Sequence, residues 1–353
     1  MYFDIAKQKF ENLKNKEDVI VLSVESSCDE TSIAIIKNGR EVLANVVASQ
    51  IDIHRLYGGV VPEIASRNHI LAISNVYKEA LNEAQISENQ LDAIAVTYGA
   101  GLVGALMVGV NFAKTLAFSL ELPLIAVSHI KGHIAANYIT EKTLEPPFIC
   151  LMVSGGHTAI LNITDYNHHE LIGTTVDDAA GEAFDKVARV LGLCYPGGPE
   201  VDKHAKQGKS DIKFTHDIMT DSLNFSFSGI KTAVINYVHN LKQKNPNQEL
   251  PINDICASFQ TAVVRELATK AIKACKANNS NKLVVAGGVS ANSFLRQTLQ
   301  TECDKNGIKL YFPSLKYCTD NAAMIGSAAY FMIRAGQEGL SDLSLTAKPT
   351  VAL

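Results

Sequence analysis

Two stretches of the chain share one local pattern, a strand, a short polar turn and a second strand. The first is VIVLSVESSCDETSIAIIKN, residues 19–38, and the second is FICLMVSGGHTAILNIT, residues 148–164. Apolar, β-branched runs that flank a polar turn predict a β-hairpin. Alternating strand-like and helix-like segments follow each hairpin. The repeat therefore predicts an α/β protein with two related halves around a cleft and a boundary near Pro146 and Pro147.

The composition is that of a globular protein and disfavours a nucleic-acid binder that works alone. The chain has 353 residues, enough for two domains, with a net charge of −4 and a pI near 6.2, whereas stand-alone nucleic-acid-binding domains are usually basic. Its seven cysteines form no CxxC pair, which argues against a disulfide framework or a cysteine-based zinc site. We expect buried thiols in a reducing compartment.

Neither the N-terminus nor the longest apolar run predicts a membrane segment. Residues 1–18 carry charges throughout and lack the apolar core of a signal peptide, so a short amphipathic helix is predicted there. The apolar run 101–120 contains Asn111 and Lys114, whereas a membrane span needs about 20 apolar residues with few or no charges. We expect a buried helix and a cytoplasmic protein.

Two glycine turns follow apolar strands. Ser154, Gly155 and Gly156 end the strand in MVSGGHT, and VAGGVSAN, residues 285–292, leads into a predicted helix. Paired glycines let backbone N–H groups approach a phosphate, and a helix N-terminus attracts the same group. The pair favours a nucleotide-type site, although neither turn matches the P-loop or the GxGxxG pattern.

The segment HIKGH places His129 and His133 four residues apart, on one face of a predicted helix. One reading is a core histidine beside a surface histidine. The other is a metal site, for which Asp320 in YCTDNAA offers a third ligand and which suits Fe(II) or Zn(II). Because Ile130 stands where the HExxH zinc-protease signature has its glutamate, the base of that chemistry is missing.

Two further stretches each allow two interpretations. Residues 177–193 predict a helix that combines acidic with small side chains, typical either of a solvent-exposed face or of close approach by a ligand. The rigid, glycine-containing loop YPGGPEVD, residues 195–202, is interpreted as a ligand lid or turn, with a structural linker as the alternative.

An ordered set of motifs extends over about residues 19–335. They are VLSVESSCDETSIAII, HRLYGGVVPEIASRNHI, HIKGHIAANY, MVSGGHT, DDAAGEAFDKVARVLGLCYPGGPEVD, NFSFSGIKTAV, VAGGVSAN and CTDNAAMIG. The set resembles the universal family of tRNA N6-adenosine threonylcarbamoyltransferases, once called sialoglycoprotein endopeptidases or glycoproteases. The resemblance implies the actin-like ATPase fold of actin, sugar kinases and heat-shock chaperones, with two duplicated domains around a cleft.

With this fold, residues 1–18 are expected to form an N-terminal extension. The first domain would span 19–146 and be completed by a C-terminal helix, 319–345, and the second would span 147–318. The implied reaction transfers threonylcarbamoyl from threonylcarbamoyl-adenylate to N6 of the adenosine 3′ of the anticodon, tRNA position 37. The tRNAs are those reading ANN codons, and AMP is released.

The resemblance also implies roles for individual residues. His129, His133 and Asp320 would hold one divalent metal, Fe(II) or else Zn(II). The remaining ligand contacts would come from Met152, Val153, Ser154, Gly155, Gly156, Asp185, Gly198, Asp202 and Asn292. Separately, we hypothesise that Glu25 and Asp29, near the first hairpin turn, orient water or the incoming amine.

The family resemblance also implies partner proteins, and the chain departs from the archaeal and eukaryotic members at one position. Archaeal and eukaryotic members carry a tyrosine ligand just before the VSGG turn, where this chain has Met152, so it resembles the bacterial catalytic subunit. That resemblance implies tRNA, a paralogous non-catalytic subunit and a small P-loop ATPase as partners. Helices at 63–84 and 101–120 are candidates for the subunit interface, with core packing as the alternative.

Three other functions remain open from the sequence. A metallopeptidase would use the same histidine pair but lacks the glutamate. A plain ATPase or sugar kinase explains the glycine turns but not HIKGH with Asp320. The third is a non-enzymatic scaffold, like the family's own degenerate paralogue, and the presence of all three metal-ligand candidates argues against it.

Overall fold

The structure is a computed structural model that describes residues 2–214, 222–244, 249–336 and 339–351. The chain divides into two compact units. Unit 1 comprises Met1–Pro146, Asp165–His168 and Pro313–Leu353, and unit 2 comprises Pro147–Thr164 and His169–Phe312. The limits of the two domains, 19–146 with 319–345 and 147–318, remain a prediction.

Strands and helices alternate along most of the described residues. The strands are β1 (Ile20–Glu25), β2 (Glu30–Lys37), β3 (Glu41–Ser49), β4 (Ala93–Gly99), β5 (Leu124–Ser128), β6 (Phe148–Val153), β7 (Thr158–Ile163), β8 (His169–Thr174), β9 (Lys282–Ala286), β10 (Lys309–Tyr311) and β11 (Leu340–Ser341). The helices are α1 (Tyr2–Leu13), α2 (Ile51–Arg55), α3 (Pro62–Ala84), α4 (Val103–Leu120), α5 (His129–Thr140), α6 (Ala180–Val190), α7 (Gly197–Ala205), α8 (Ser228–Lys244), α9 (Ile252–Ala277), α10 (Ser293–Asn306) and α11 (Ala322–Ala335).

Unit 1 is built on a six-stranded mixed sheet with the order β11-β5-β4-β1-β2-β3. The β1–β2 hairpin is antiparallel, and β1 pairs in parallel with β4. Strand β1 is buried on both faces: Leu22 and Val24 belong to the core with α3 and α4, whereas Ser23 donates to the Ala322 carbonyl of α11. Helices therefore cover both sides of this sheet.

Unit 2 repeats this plan with a five-stranded sheet in the order β10-β9-β6-β7-β8. Its first two strands, β6 and β7, form an antiparallel hairpin, and β6 pairs in parallel with β9. All six residues of β6 are buried. The β1–β2 and β6–β7 hairpins therefore occupy equivalent positions in two similar sheets. In each, the first strand of the hairpin pairs with a parallel neighbour, β4 or β9.

The predicted secondary structure is confirmed for both hairpins and for the long helices α3 and α9. Three short elements, α2, β8 and β11, were not predicted. The C-terminal helix is shorter than the predicted 319–345. Asn321 caps its N-terminus, and Gly336, with φ 75°, ends it after Ala335.

The apolar run 101–120 forms α4, which is long and apolar enough by length and composition to cross a membrane. Six of its residues are nevertheless buried in unit 1. Two of them, Val110 and Ala113, belong to the same core as Leu22 of β1, so α4 is a core helix, as predicted. The seven cysteines are free thiols and five of them are buried.

Candidate functional site

The three predicted metal ligands lie together in unit 1. His129 and His133 occupy the first turns of α5, and Asp320 lies just before α11. The two helices pack closely, since a Cβ atom on Gly132 would lie 2.6 Å from Ile325 Cδ1. The start of α11 is also anchored to the β1–β2 hairpin, where Ser32 Oγ accepts a hydrogen bond of 2.9 Å from Ala322 N. Helix packing thus brings two distant segments of the chain to one point.

The donor atoms of this group have the spacing of a metal centre. The Oδ1 atom of Asp320 lies 3.4 Å from His129 Nε2 and 3.2 Å from His133 Nε2, and one ligand atom from each residue lies within 4.8 Å of the others. Donors bound about 2.0–2.2 Å from a tetrahedral ion lie about 3.4 Å apart. Two imidazoles and one carboxylate therefore can hold a divalent metal and leave coordination positions open.

His133 gives an independent indication that a ligand belongs here. Its side chain is 2 % exposed, and neither ring nitrogen has a hydrogen-bond partner among the described residues. The 3.2 Å contact to Asp320 is close but not aligned as a hydrogen bond. Burial, together with the neighbouring His129, lowers the pKa of His133, so the ring is neutral and its lone pair is available.

His129 is oriented by a buried carboxylate. Glu25, at the end of β1, places Oε2 3.2 Å from His129 Nδ1, and Ser27 Oγ lies 3.1 Å from the same nitrogen. Because a carboxylate only accepts hydrogen bonds, Nδ1 carries the proton and Nε2 points toward Asp320. This is the carboxylate–histidine arrangement that commonly supports a metal ligand.

The charges of the group depend on one another. Burial alone would lower the pKa of His129, but Asp320 and Glu25 outweigh it and hold that pKa well above its usual value. Burial would raise the pKa of Asp320, yet the adjacent histidines hold it far below its usual value. In the absence of metal, His129 therefore carries a proton on Nε2 that a bound metal has to displace.

Glu25 itself is held by Thr97 and Ser27. Thr97 Oγ1 donates to Oε2 at 2.5 Å, and the Ser27 amide donates to Oε1 at 2.6 Å. Thr97 was not identified from the sequence, where the available signal was a small polar residue in the mostly apolar strand AIAVTYG. These contacts give Glu25 a positioning role toward His129. Its hypothesised role toward water or the amine remains a prediction.

Replacing Glu25 with glutamine is expected to weaken metal binding by about 10–100-fold, the usual effect of removing the partner of a ligating histidine. The amide keeps the shape but loses the charge that fixes the His129 tautomer. Competition with a chelator measures the affinity. Ser49→Ala serves as a control, because Ser49 donates to Glu30 rather than to His129. Equal affinities for Glu25→Gln and the wild type would contradict the positioning role.

Asp29 lies in the turn between β1 and β2 and is largely buried. Burial raises the pKa of its carboxyl group, and the negative charge of Asp320 adds to this rise. The effect of Asp320 shows that Asp29 lies close enough to the metal group to interact with it electrostatically. Its catalytic role remains a prediction.

The predicted ligand residues of unit 2 also lie in one connected region. Gly155 and Gly156 are exposed, and a Cβ atom on either would meet nothing within 4 Å. A Cβ on Gly181, in contrast, would lie 2.5 Å from the Ser154 carbonyl oxygen and 2.7 Å from Gly155 Cα. Because Gly181 has no side chain, α6 can pack closely against the Ser-Gly-Gly turn. The glycines of the turn itself face open space.

Hydrogen bonds link the other ligand candidates. Asp185 Oδ1 accepts from Gly197 N at 2.8 Å, next to Gly198, whose Cα also faces open space. Asp202 accepts from Ser293 Oγ at 2.9 Å. The neighbouring Asn292 caps α10 by accepting from Leu295 N at 2.9 Å.

Met152 and Val153 differ from the other candidates because both are fully buried in β6. Contact of their side chains with a ligand remains a prediction.

The acidic residues near α6 are largely structural. The helix begins at Ala180, after Asp177 and Asp178. Asp177 Oδ1 accepts from Phe227 N at 2.8 Å, near the start of α8, and Asp178 pairs with Lys186 at 2.9 Å and Lys231 at 2.5 Å. Asp177 is exposed, as expected of a solvated face, whereas the side chain of Asp178 is 14 % exposed. Close approach of a ligand to this helix remains a prediction.

Comparison with solved structures gives the class of fold. The activator of the 2-hydroxyisocaproyl-CoA dehydratase from Clostridium difficile aligns with a TM-score of 0.53 at 13 % identity, over 90 % of this chain and 96 % of its own. HypF from T. kodakarensis aligns with a TM-score of 0.59 at 14 % identity, over 90 % of this chain and 48 % of its own. The protein has the actin-like ATPase fold, as the sequence predicted.

Sequence comparison then gives the family. The tRNA N6-adenosine threonylcarbamoyltransferase (TsaD) profile matches residues 41–327. A Clostridium perfringens member is 58 % identical over 95 % of this chain and 98 % of its own, and one from Clostridium botulinum is 55 % identical over 96 % and 99 %. The chain belongs to this family. It is an acyltransferase that forms threonylcarbamoyladenosine in tRNA.

Proposed function

We propose that the donor is threonylcarbamoyl-adenylate and that the acceptor is the adenosine at tRNA position 37 in tRNAs reading ANN codons, with AMP as the second product. The proposal includes a divalent metal, Fe(II) or else Zn(II), held by His129, His133 and Asp320. The main observation in support of a metal is the environment of His133. Its imidazole is buried and neutral, has no hydrogen-bond partner among the described residues and lies next to a carboxylate.

A metal bound at these residues would supply Lewis acidity toward the phosphate or carbonyl oxygens of a mixed anhydride. The residues of unit 1 would position its ligands: Glu25 contacts Nδ1 of His129, and Asp320 directly precedes Asn321, the N-cap of α11. No side-chain nucleophile is required, because the attacking group is the N6 amine of the tRNA and adenylate is the leaving group. The chemistry therefore agrees with a site that lacks a glutamate after His129.

In unit 2 the open glycines support a role in holding the acyl-adenylate. The backbone around Gly155 and Gly156 is accessible, so its N–H groups can approach phosphate oxygens closely. Gly198 offers a similar open surface beside Asp185. We propose that Ser154, Gly155 and Gly156 contact the phosphate and acyl part, while Asp185, Gly198, Asp202 and Asn292 order the nucleoside part. Met152 and Val153 support the turn as the end of its strand.

The proposed partners are a paralogous non-catalytic subunit and a small P-loop ATPase, in the cytoplasm. Apolar side chains exposed on unit 1 support a protein interface there. Ile70 and Leu71 of α3 are 63 % and 75 % exposed, and Met107 of α4 is 50 % exposed. Both helices contribute to the same core of unit 1, and large exposed apolar patches mark protein interaction sites.

The proposed function is tested by reconstitution. The purified protein is combined with its proposed partners, unmodified tRNA and preformed threonylcarbamoyl-adenylate, and the nucleoside product is detected by mass spectrometry. We expect threonylcarbamoyladenosine at position 37 and an equal amount of AMP. Loss of product on chelation, with recovery on adding Fe(II) or Zn(II), is expected for the metal. Product that survives complete metal removal would refute the metal's role, and cleavage of a glycoprotein without tRNA product would favour the peptidase alternative.

A further inference from the structure

A surface groove lies between two helices of unit 2, α9 and α10. Its volume is about 750 Å³, and its lining residues come from these two helices alone. Val264, Ala268 and Ile272 of α9 form the buried part of its wall. None of the residues assigned to the metal or to the acyl-adenylate lines this groove, so it is a separate feature of the molecule.

The charge of the groove is opposite to that of the whole chain. Its lining includes four cations, Arg265, Lys273, Lys276 and Lys305, and one acid, Glu302. Glu302, the one acid in this lining, lies 2.8 Å from Lys305. In a chain with a net charge of −4, such a local excess of positive charge indicates an anionic partner.

The cations on α9 form one stripe. Arg265, Lys273 and Lys276 are all exposed, and Thr269 lies between them on the same side of the helix. From Arg265 to Lys276 the helix rises by about 16 Å. Arginine, lysine, threonine and asparagine are the side chains that bind phosphate and sugar in nucleic-acid complexes. The α10 side adds Thr298 and Asn306 to this set.

The groove also begins next to a residue of the proposed site. Asn292, which caps α10, donates from Nδ2 to Gln260 Oε1 of α9 at 2.7 Å. The lining on the two helices starts immediately beyond this contact, at Thr261 and Phe294. A long anionic chain bound in the groove therefore can reach the region of unit 2 that contains Asn292.

We infer that the α9–α10 groove binds the phosphodiester backbone of the substrate tRNA, in a manner independent of base sequence. The inference rests on the proposed function for the identity of the anion. A backbone contact of this kind strengthens tRNA binding without taking part in the transfer. It also explains how a chain with net negative charge engages tRNA, through a local surface instead of its overall charge.

The test reverses two groove charges, Arg265→Glu with Lys276→Glu, and compares them with the same charge change elsewhere in unit 2. Lys242 and Lys244, both exposed at the end of α8, provide the matched control. We expect the groove variant to raise the KM for tRNA by about 10-fold or more while kcat at saturating tRNA stays unchanged. The slope of log affinity against log salt concentration should fall by about 2, close to one for each lost phosphate contact.

Binding is measured separately, by fluorescence anisotropy of labelled tRNA with the assembled complex, so the result does not depend on the transfer reaction. An equal change in KM and affinity for the groove and control variants would overturn the inference. So would normal tRNA affinity combined with impaired assembly with the partner proteins, since the groove would then be a protein interface. If the wild type binds tRNA through the groove but forms no threonylcarbamoyladenosine, the proposed function fails and the inference stands.

Discussion

Replacing Asp320 with asparagine is expected to abolish stoichiometric metal binding and to lower threonylcarbamoyl transfer by about 100-fold or more. Asp320 contacts both histidines, at 3.4 Å and 3.2 Å, and is the only carboxylate in the candidate metal group of the described residues. Asparagine has almost the same shape but cannot supply the negative charge that balances a divalent cation. It also removes a charge that raises the pKa of His129, which alters the protonation of the second ligand.

The control for this prediction is Asp52→Asn, an identical change in unit 1 at a side chain that is 93 % exposed. Metal content by mass spectrometry, transfer with preformed donor and thermal unfolding are measured for both variants. We expect full metal content and transfer for Asp52→Asn. If the Asp320→Asn protein folds, binds no metal and still transfers at the wild-type rate, the metal is not needed for transfer. His129, His133 and Asp320 would then have a structural role only.

Local pattern was sufficient to pair His129 with His133. Their assignment as metal ligands together with Asp320 came from the family resemblance and remains a prediction. Histidines four residues apart on a helix share a face whatever the rest of the fold does. Glu25 was singled out for a hypothesised role toward water or the amine, and its contact with His129 was not predicted. That contact depends on β1 lying beside β4, and β4 beside β5, a long-range pairing that no local period reveals.

The glycines of unit 2 also have roles that the local sequence does not reveal. By sequence, Gly155, Gly181 and Gly198 are alike, each a small residue in a candidate ligand region. In the structure, Gly155 and Gly198 face open space, whereas Gly181 packs against the Ser-Gly-Gly turn. Whether a glycine serves a ligand or a neighbouring helix depends on tertiary packing. The fold class, in contrast, follows from the repeated hairpins and the alternation of strands and helices, which are local features.

Among single substitutions, the largest loss of stability is expected at one ion pair whose burial the sequence does not reveal. Glu266 and Lys270 lie four residues apart on α9, a spacing typical of an exposed ion pair that contributes about 0.2–0.5 kcal/mol. In the structure both are almost fully buried, 1 % and 2 % exposed, with Lys270 Nζ 2.6 Å from Glu266 Oε1. Lys270 also donates to the Asn224 carbonyl and lies over the Phe225 ring.

Replacing Glu266 with glutamine is therefore expected to destabilise unit 2 by about 3–5 kcal/mol, because it leaves the Lys270 cation buried without its counter-charge. Hydrogen exchange of the α9 backbone amides measures the free energy of opening. The matched control is Glu63→Gln on α3, which breaks an ion pair of the same spacing with Arg67 whose side chains are 76 % and 75 % exposed. That change is expected to cost less than about 1 kcal/mol. Similar losses for the two variants would show that burial adds nothing to the energy of the Glu266–Lys270 pair.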